Sequence, residues 1–292
     1  MSKATNFGNY TVHRVIEQEA PLFDPLTFFP GLAPDVLAEN REWLEQSRAL
    51  DRATGHIVLC IQSYVVRTPH HTILIDSCVG NHKNRQGRPF WHMQTSDTYM
   101  NGLAAAGFDV KDIDFVMCTH LHVDHVGWNT RLENGRWVPT FPKARYLFSE
   151  RELAHWNAEH EKMPNDVLMD SVLPIVAAGR ADLVRSDYVL DGDVRLLPTP
   201  GHTPDHFAVR FGAGAEGMVM TGDLIHSPLQ ARYPDLSTRV DTDPRQAAAT
   251  RRAFLEEQCA AGLTVCTGHF PSPSMGRFIR WGDGFRFTPL AD

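Results

Sequence analysis

Hydrophobic and polar positions alternate along this chain in a way that predicts strands and helices interleaved from end to end. Short apolar or alternating runs predict strands at Tyr10–Glu17, Ile57–Arg67, Thr72–Ile75, Ile113–Cys118, Val194–Leu197, Phe207–Phe211, Met218–Met220 and Leu263–Cys266. Longer segments with an apolar face predict helices at Pro34–Glu45, Thr98–Ala106, Glu150–Glu161, Asp166–Ala178 and Pro244–Ala261. Because the two kinds of element are mixed, the pattern favours an α/β fold with two central sheets and helices on the outer faces.

The domain organisation that this pattern predicts is a single unit over residues 1–292, since no break in composition divides the chain. Residues from about 20 to 50 contain the first predicted helix and are expected to form an N-terminal cap or interface segment. Residues from about 80 to 97 are polar and glycine-rich but carry Phe90, Trp91 and Met93, so we interpret them as a lid insertion over a site. The alternative is a solvated insertion whose aromatic side chains pack into the core.

The charge balance argues against nucleic acid as a partner. The chain has 28 Lys and Arg against 35 Asp and Glu, and its formal net charge of −7 brings no attraction to phosphate backbones. The nearest approach to a basic cluster is Arg251 and Arg252, which we expect on the solvated face of their predicted helix. With 42% hydrophobic and 22% charged residues, the composition is that of a compact globular protein.

The cysteines and the N-terminus favour a cytoplasmic location. None of the five cysteines has CxxC spacing, and Cys60, Cys118 and Cys266 lie in apolar runs, so buried free thiols are expected. The first ten residues lack the apolar core of a signal peptide, and no later stretch approaches membrane-spanning length. We therefore expect no membrane partner, and we leave open a homodimer.

Four potential metal ligands, His120, His122, Asp124 and His125, fall within six residues after an apolar run. Residues two apart on an extended segment point to the same side, so His120 and His122 can share one metal ion while the following turn directs Asp124 and His125 to a second. Imidazole and carboxylate suit zinc and other first-row metals, including manganese, iron and cobalt. The alternative is a polar loop that binds no metal.

Distant residues in suitable places favour the metal interpretation. His202, Asp223 and His269 each follow an apolar, strand-like run and lie beside a glycine, where the backbone can turn sharply. A motif gains weight from such predicted context. The sequence therefore predicts a hydrolase centre with two metal ions.

These motifs resemble those of the metallo-β-lactamase superfamily, whose HxHxDH loop, GHTP-type histidine, TGD aspartate and C-terminal histidine occur here in the same order. The resemblance implies an αββα sandwich of two mixed sheets flanked by helices. It also implies two zinc ions per chain, with Asp223 bridging them; the remaining ligands would be His120, His122 and His202 on one ion and Asp124, His125 and His269 on the other. Within the superfamily the chain is most similar to the quorum-quenching lactonases and the related organophosphate and aryl-ester hydrolases.

The chemistry expected of such a centre is hydrolysis. A bridging carboxylate can keep two cations roughly 3.5 to 4 Å apart, and a water shared between them can have its pKa lowered toward about 7, which makes hydroxide available. Asp124 is expected to orient that hydroxide and carry a proton to the leaving group. His226 stands three residues after Asp223, where the lactonases carry a substrate-contacting tyrosine, and is a second catalytic candidate; the alternative is an ordinary loop histidine.

Other residues near these motifs are expected to support the site. Asp76 resembles the superfamily's early aspartate, which accepts the second N–H of a ligand imidazole. His206 is expected to have a supporting or structural role and not to bind metal. Trp128 is expected either to line the pocket or to belong to the core.

The sequence thus predicts a dinuclear zinc hydrolase that opens a small neutral ester-like substrate, with a lactone of the N-acyl homoserine type favoured. The alternatives are an organophosphate or aryl-ester hydrolase, then a glyoxalase-type thioesterase, then a non-enzymatic metal-binding protein. Antibiotic hydrolysis is disfavoured, because the archetypal zinc β-lactamases carry a cysteine where Asp223 stands.

Overall fold

The computed structural model describes residues 4–212 and 217–290. Its strands are β1 (Thr5–Phe7), β2 (Tyr10–Phe23), β3 (Ile57–Arg67), β4 (Thr72–Ile75), β5 (Phe115–Met117), β6 (Thr130–Glu133), β7 (Arg136–Pro139), β8 (Arg145–Ser149), β9 (Ala181–Val184), β10 (Val189–Asp191), β11 (Val194–Pro198), β12 (Phe207–Phe211), β13 (Met218–Met220), β14 (Thr264–Cys266), β15 (Met275–Trp281) and β16 (Gly284–Pro289). Its α-helices are α1 (Pro25–Phe28), α2 (Pro34–Gln46), α3 (Thr98–Ala105), α4 (Glu150–Lys162), α5 (Leu173–Ala177), α6 (Pro228–Arg232) and α7 (Pro244–Ala261).

The strands form two large mixed sheets, which confirms the predicted fold class. Among the described residues, one seven-stranded sheet has the order β1-β2-β3-β4-β5-β8-β9, and the other has the order β10 to β16 in sequence. The prediction was wrong in one helix: the segment Asp166–Ala178 contains a π-helical turn at Leu168–Val172 before α5 begins. The strand predicted at Tyr10–Glu17 is also longer than expected, because the observed strand β2 continues to Phe23.

The chain groups into two compact units, which we describe separately. The first comprises the described part of Met1–Glu17 with Ile61–Arg185, and the second comprises Gln18–Cys60 with the described part of Ser186–Asp292. That the whole chain acts as one domain stays a prediction. Residues 1–3, 213–216 and 291–292 of that predicted domain lie outside the described residues.

In the first unit, parallel pairing places the predicted metal loop at one sheet edge. Strand β4 pairs in parallel with β5, and β5 pairs in parallel with β8. The carboxyl ends of parallel neighbours meet at the same edge, where open α/β sheets carry their ligand sites. Asp76 follows β4 and the segment from Thr119 follows β5, so the two lie close together.

In the second unit, three strands that run in the same direction carry the remaining predicted ligands. Strands β11 and β13 are both antiparallel to β12, and β14 is parallel to β13. The loops after β11, β13 and β14, which hold His202, Asp223 and His269, therefore emerge at the same edge. The crossover between β13 and β14 includes α7, which Asp243 caps at its start and Gly262, in a left-handed conformation, ends.

The expectation that Arg251 lies on a solvated helix face is wrong. Its side chain is 1% exposed, whereas Arg252 beside it forms a surface ion pair with Asp235. A guanidinium can be buried only when its N–H groups find acceptors, and Arg251 donates to the carbonyls of Leu224, Pro234 and Leu236. Helical periodicity alone does not reveal such acceptors.

The segment predicted as a lid is tied to the rest of the first unit by two buried basic side chains. Lys83 and Arg85 both pair with Asp170 in the π-helical turn, and Lys83 also lies 3.7 Å from the ring centre of Trp137. Of its aromatic residues, Trp91 is buried. A lid function for residues 80–97 stays a prediction.

The segment predicted as a cap belongs to the second unit. Its helices α1 and α2 contribute Phe28 and Leu44 to an apolar cluster that also contains Leu229 and Leu236. A cap or interface role for residues 20–50 stays a prediction. Among the described residues, the helices are too short or too polar to cross a membrane. All five cysteines are free thiols, and Cys60, Cys118 and Cys266 are buried as expected, whereas Cys259 is partly exposed.

Candidate metal centre

In the first unit, the buried carboxylate of Asp76 orients the rings of His120 and His125, directly for His125 and through Thr119 for His120. Nδ1 of His125 lies 2.9 Å from Asp76 Oδ2, and Nδ1 of His120 lies 3.1 Å from the hydroxyl of Thr119, which itself donates to Asp76. The ring centroids of His120 and His125 are 4.1 Å apart. An N–H donated through Nδ1 makes Nε2 the lone-pair nitrogen. The expected contact between Asp76 and an imidazole of the loop is therefore present, whereas metal binding by that imidazole stays a prediction.

The other two residues of the loop are more open. The ring of His122 lies 4.6 Å from that of His120 and 5.4 Å from that of Trp156. Asp124 Oδ1 is 3.8 Å from His125 Nε2, and the Asp124 side chain is 12% exposed. A partly exposed carboxylate beside buried imidazoles can both bind a cation and reach a substrate.

The base of this loop is fixed by a close backbone crossing and a buried acid. A Cβ at Gly127 would lie 1.7 Å from the Val79 carbonyl oxygen, so only glycine fits there. Glu17 accepts hydrogen bonds from the Val79 backbone and from the indole of Trp128. Burial raises the pKa of Glu17, although these hydrogen bonds oppose the shift. Trp128 is 5% exposed and stacks on Tyr99, so it belongs to the core.

In the second unit, two predicted ligands meet the carboxylate of Asp223. His269 Nε2 lies 2.8 Å from Asp223 Oδ1, and His202 Nε2 lies 3.2 Å from Asp223 Oδ2. On the far side of each ring, Nδ1 has an oxygen acceptor: the Cys60 carbonyl for His269 at 2.9 Å, and Asp241 for His202 at 2.8 Å. This arrangement presents Nε2 of both rings toward one carboxylate, as metal-binding histidines require.

His226 joins the same carboxylate. Its Nε2 is 3.1 Å from Asp223 Oδ2, and ligand atoms of Asp223, His226 and His269 lie within 4.8 Å of one another. Its ring meets Phe28 edge-on at 5.6 Å, and its Nδ1 is buried without a hydrogen-bond partner among the described residues. Burial lowers the pKa of His226, and Asp223 opposes this shift. The structure thus places His226 among the candidate metal ligands of this unit.

Supporting residues set the protonation of the second unit's histidines. Burial lowers the pKa of His202, but hydrogen bonds to Asp223 and Asp241 outweigh it and raise the pKa to about 9. Binding of a cation at Nε2 would therefore displace a proton. His206 accepts a hydrogen bond from the Asp223 backbone through Nε2 at 3.0 Å, in keeping with the supporting role expected of it.

Sequence reasoning missed Asp241, Gln230 and the Cys60 carbonyl. Gln230 accepts from the His226 backbone N–H, and Asp241 and the Cys60 carbonyl accept from the imidazoles of His202 and His269. None of the three lies beside a glycine or a metal-type motif, so local pattern carries no signal for them. Long-range pairing of the chain brings Asp241 and Cys60 to the site, whereas Gln230 lies four residues after His226.

Comparison with known proteins identifies related sequences. The model of the metallo-beta-lactamase superfamily matches residues 60–269. An N-acyl homoserine lactonase of Bacillus sp is 27% identical over 172 residues, which span 56% of this chain and 62% of that protein. The N-acyl homoserine lactonase AttM of Agrobacterium fabrum is 28% identical over 189 residues, which span 62% of this chain and 68% of that protein.

Two solved structures resemble the whole chain. The hydrolase AbOPH of the beta lactamase superfamily superposes with a TM-score of 0.83 at 21% identity and covers 100% of this chain and 98% of its own. The dizinc quorum-quenching lactonase AidC, solved with a product N-hexanoyl-L-homoserine, gives a TM-score of 0.82 at 22% identity with the same coverage. At these identities the likeness shows a shared fold.

Proposed function

Because the chain belongs to the metallo-beta-lactamase superfamily, we propose that it is a metal-dependent hydrolase that opens N-acyl homoserine lactones. The observation that carries the proposal is the convergence of Nε2 of His202, His226 and His269 on the carboxylate of Asp223. Two relatives named as lactonases support the substrate class. The matches cover only 62% and 68% of the length of these relatives, so the substrate is a proposal for this chain.

The residues that would hold the ions are His120, His122, Asp124 and His125 in the first unit and His202, Asp223 and His269 in the second. The donor chemistry fits zinc, since imidazole and carboxylate predominate and the Nδ1 atoms of His125, His202 and His269 are already held by oxygen acceptors. Two divalent cations bound there would polarise the lactone carbonyl and lower the pKa of the attacking water.

The chain's own residues supply orientation and proton transfer in this proposal. Ring opening breaks the bond between the acyl carbon and the ring oxygen, and that oxygen must gain a proton to become the hydroxyl of the homoserine product. Asp124, partly exposed beside the buried imidazoles, receives the proton of the attacking water and delivers it to that oxygen. His226 would donate its Nε2 N–H, which faces Asp223 Oδ2 in this structure, to the lactone carbonyl oxygen, where negative charge develops.

The cellular setting is also a proposal. The chain's five free thiols support a reducing compartment, the cytoplasm.

A substrate panel tests the proposed function. Zinc-loaded protein is assayed against N-acyl homoserine lactones, aryl esters, phosphotriesters and thioesters, and we expect the highest kcat/KM for a lactone. Asp124→Asn should abolish most of that turnover, whereas Asp109→Asn, at an exposed carboxylate of the first unit, should leave it unchanged. Inert lactones alongside rapid phosphotriester turnover would replace the proposal with the organophosphate hydrolase alternative.

A further inference from the structure

The side chain behind His202 belongs to a buried charge pair that no metal motif of the sequence includes. Asp241 Oδ1 accepts from His202 Nδ1 at 2.8 Å, and Asp241 Oδ2 accepts from the Thr238 backbone N–H at 2.8 Å. The Asp241 side chain is fully buried. Arg251 Nη2 lies 3.7 Å from the same carboxylate.

Arg251 connects this carboxylate to the residue that follows Asp223. Its Nε donates to the Leu224 carbonyl at 2.9 Å, and its Nη1 donates to the Pro234 and Leu236 carbonyls at 2.7 and 2.9 Å. One guanidinium therefore contacts both the Leu224 carbonyl, next to Asp223, and the Asp241 carboxylate that accepts from His202. The rigid fork of Arg can hold several acceptors at fixed spacing, which a flexible ammonium cannot do.

We propose that Asp241 and Arg251 are positioning residues that fix the His202 imidazole relative to Asp223. The inference rests on the proposed role of His202 as a metal ligand. Asp241 accepts from Nδ1 of the ring, so Nε2 is the nitrogen that faces Asp223 and would give up its proton to a cation, and Arg251 fixes Asp241. The geometric result is the 3.2 Å approach of His202 Nε2 to Asp223 Oδ2.

Asp241→Asn is an informative change because a carboxylate has two acceptor oxygens and an amide has only one. The carboxylate accepts from His202 with one oxygen and from the Thr238 N–H with the other. An amide has one acceptor oxygen, so its NH₂ group would face one of these two donors. The variant keeps the volume of the side chain but loses one hydrogen bond and the charge.

The test is zinc affinity, measured by competition with a chromophoric chelator. Orienting residues behind metal ligands typically contribute 10- to 100-fold in affinity, so Asp241→Asn should weaken one of the two zinc equivalents by that factor and leave the other unchanged. Arg251→Lys keeps the positive charge but loses the planar guanidinium with its several N–H donors. This variant should therefore weaken binding of the same zinc ion. The surface pair beside them supplies matched controls: Asp235→Asn and Arg252→Lys should bind zinc as the parent chain does.

The outcomes separate this inference from the proposed function. A parent chain that fails to bind two zinc ions contradicts the proposed centre and the inference with it. A parent chain that binds two, with Asp241→Asn within twofold of it at both sites, overturns the inference alone. If Asp241→Asn does not fold, Asp241→Glu keeps the charge and displaces the carboxylate, and unchanged affinity in that variant overturns the inference equally.

Discussion

Replacing His226 tests whether this residue acts in catalysis or in metal binding. It is one of three histidines, with His202 and His269, whose Nε2 atoms approach Asp223. The imidazole is 2% exposed, contacts Asp223 Oδ2 through Nε2 and lies in a stacked arrangement with His269 at 5.4 Å. In the proposed mechanism it donates to the carbonyl oxygen of the substrate, where charge develops in the transition state. His226→Ala removes this donor.

The expected loss follows from the value of one such donor. Removing a single hydrogen bond to a developing oxyanion costs on the order of 10²-fold in turnover, which corresponds to about 2.7 kcal/mol. Truncating the buried ring also destabilises the fold, by at most the about 3–5 kcal/mol typical of larger aromatic side chains. His226→Tyr should restore part of the rate, because a phenol can donate the same hydrogen bond.

Three measurements on each variant distinguish the roles of His226: zinc content, steady-state kinetics with a lactone, and the denaturation midpoint. His13→Ala is the control, since that variant also loses an imidazole packed edge-on against a phenyl ring, at 5.1 Å from Phe108. We expect His226→Ala to retain two zinc ions and lose about 10²-fold in kcat, and His13→Ala to keep its kcat. An unchanged kcat in His226→Ala would refute the catalytic role, and loss of a zinc ion would make His226 a ligand instead.

Three further predictions concern the first unit. Asp76→Asn should weaken zinc binding by about 10- to 100-fold in chelator competition, because an amide cannot accept from both His125 and the Thr119 backbone; unchanged affinity would contradict this. Gly127→Ala should lower the free energy of unfolding in urea by about 3 kcal/mol, the upper end of the usual cost of overpacking, since its Cβ would lie 1.7 Å from a carbonyl oxygen. A denaturation midpoint equal to that of the parent chain would contradict the close approach of the two backbones. Burial lowers the pKa of Lys83 from 10.5 to about 7, so between these values the unfolded chain holds a proton that the folded chain lacks, and stability should rise with pH. That rise is at most about 1.4 kcal/mol per pH unit, and Lys83→Met should flatten it in unfolding curves from pH 7 to 10; an identical slope would contradict the shift.

The positions of the predicted metal ligands could be read from the sequence because each follows a strand. Apolar runs ended by polar residues and glycine placed His202, Asp223 and His269 at strand ends, and the directions of β11, β13 and β14 then bring these ends to one edge. The fold class followed from the same patterning. The ligand assignments and the catalytic roles of Asp124 and His226 stay predictions.

What the sequence did not reveal depends on contacts between distant segments. Asp241 lies 39 residues from His202, from which it accepts a hydrogen bond, and Arg251 lies 27 residues from Leu224, to whose carbonyl it donates. The strands β15 and β16 were also missed, because Arg277 and Arg280 interrupt the apolar pattern on the exposed side. These contacts and strands depend on pairing between distant segments of the chain, which the local pattern of hydrophobic residues does not predict.

Zinc titration of the metal-free protein tests the central claim most directly. Ring opening of an N-acyl homoserine lactone is followed while zinc is added in known equivalents. The proposed centre predicts negligible activity without metal, a rise with added zinc and a plateau at two equivalents per chain. Full activity without metal, a plateau at one equivalent, or no lactone opening at any zinc content would contradict the account.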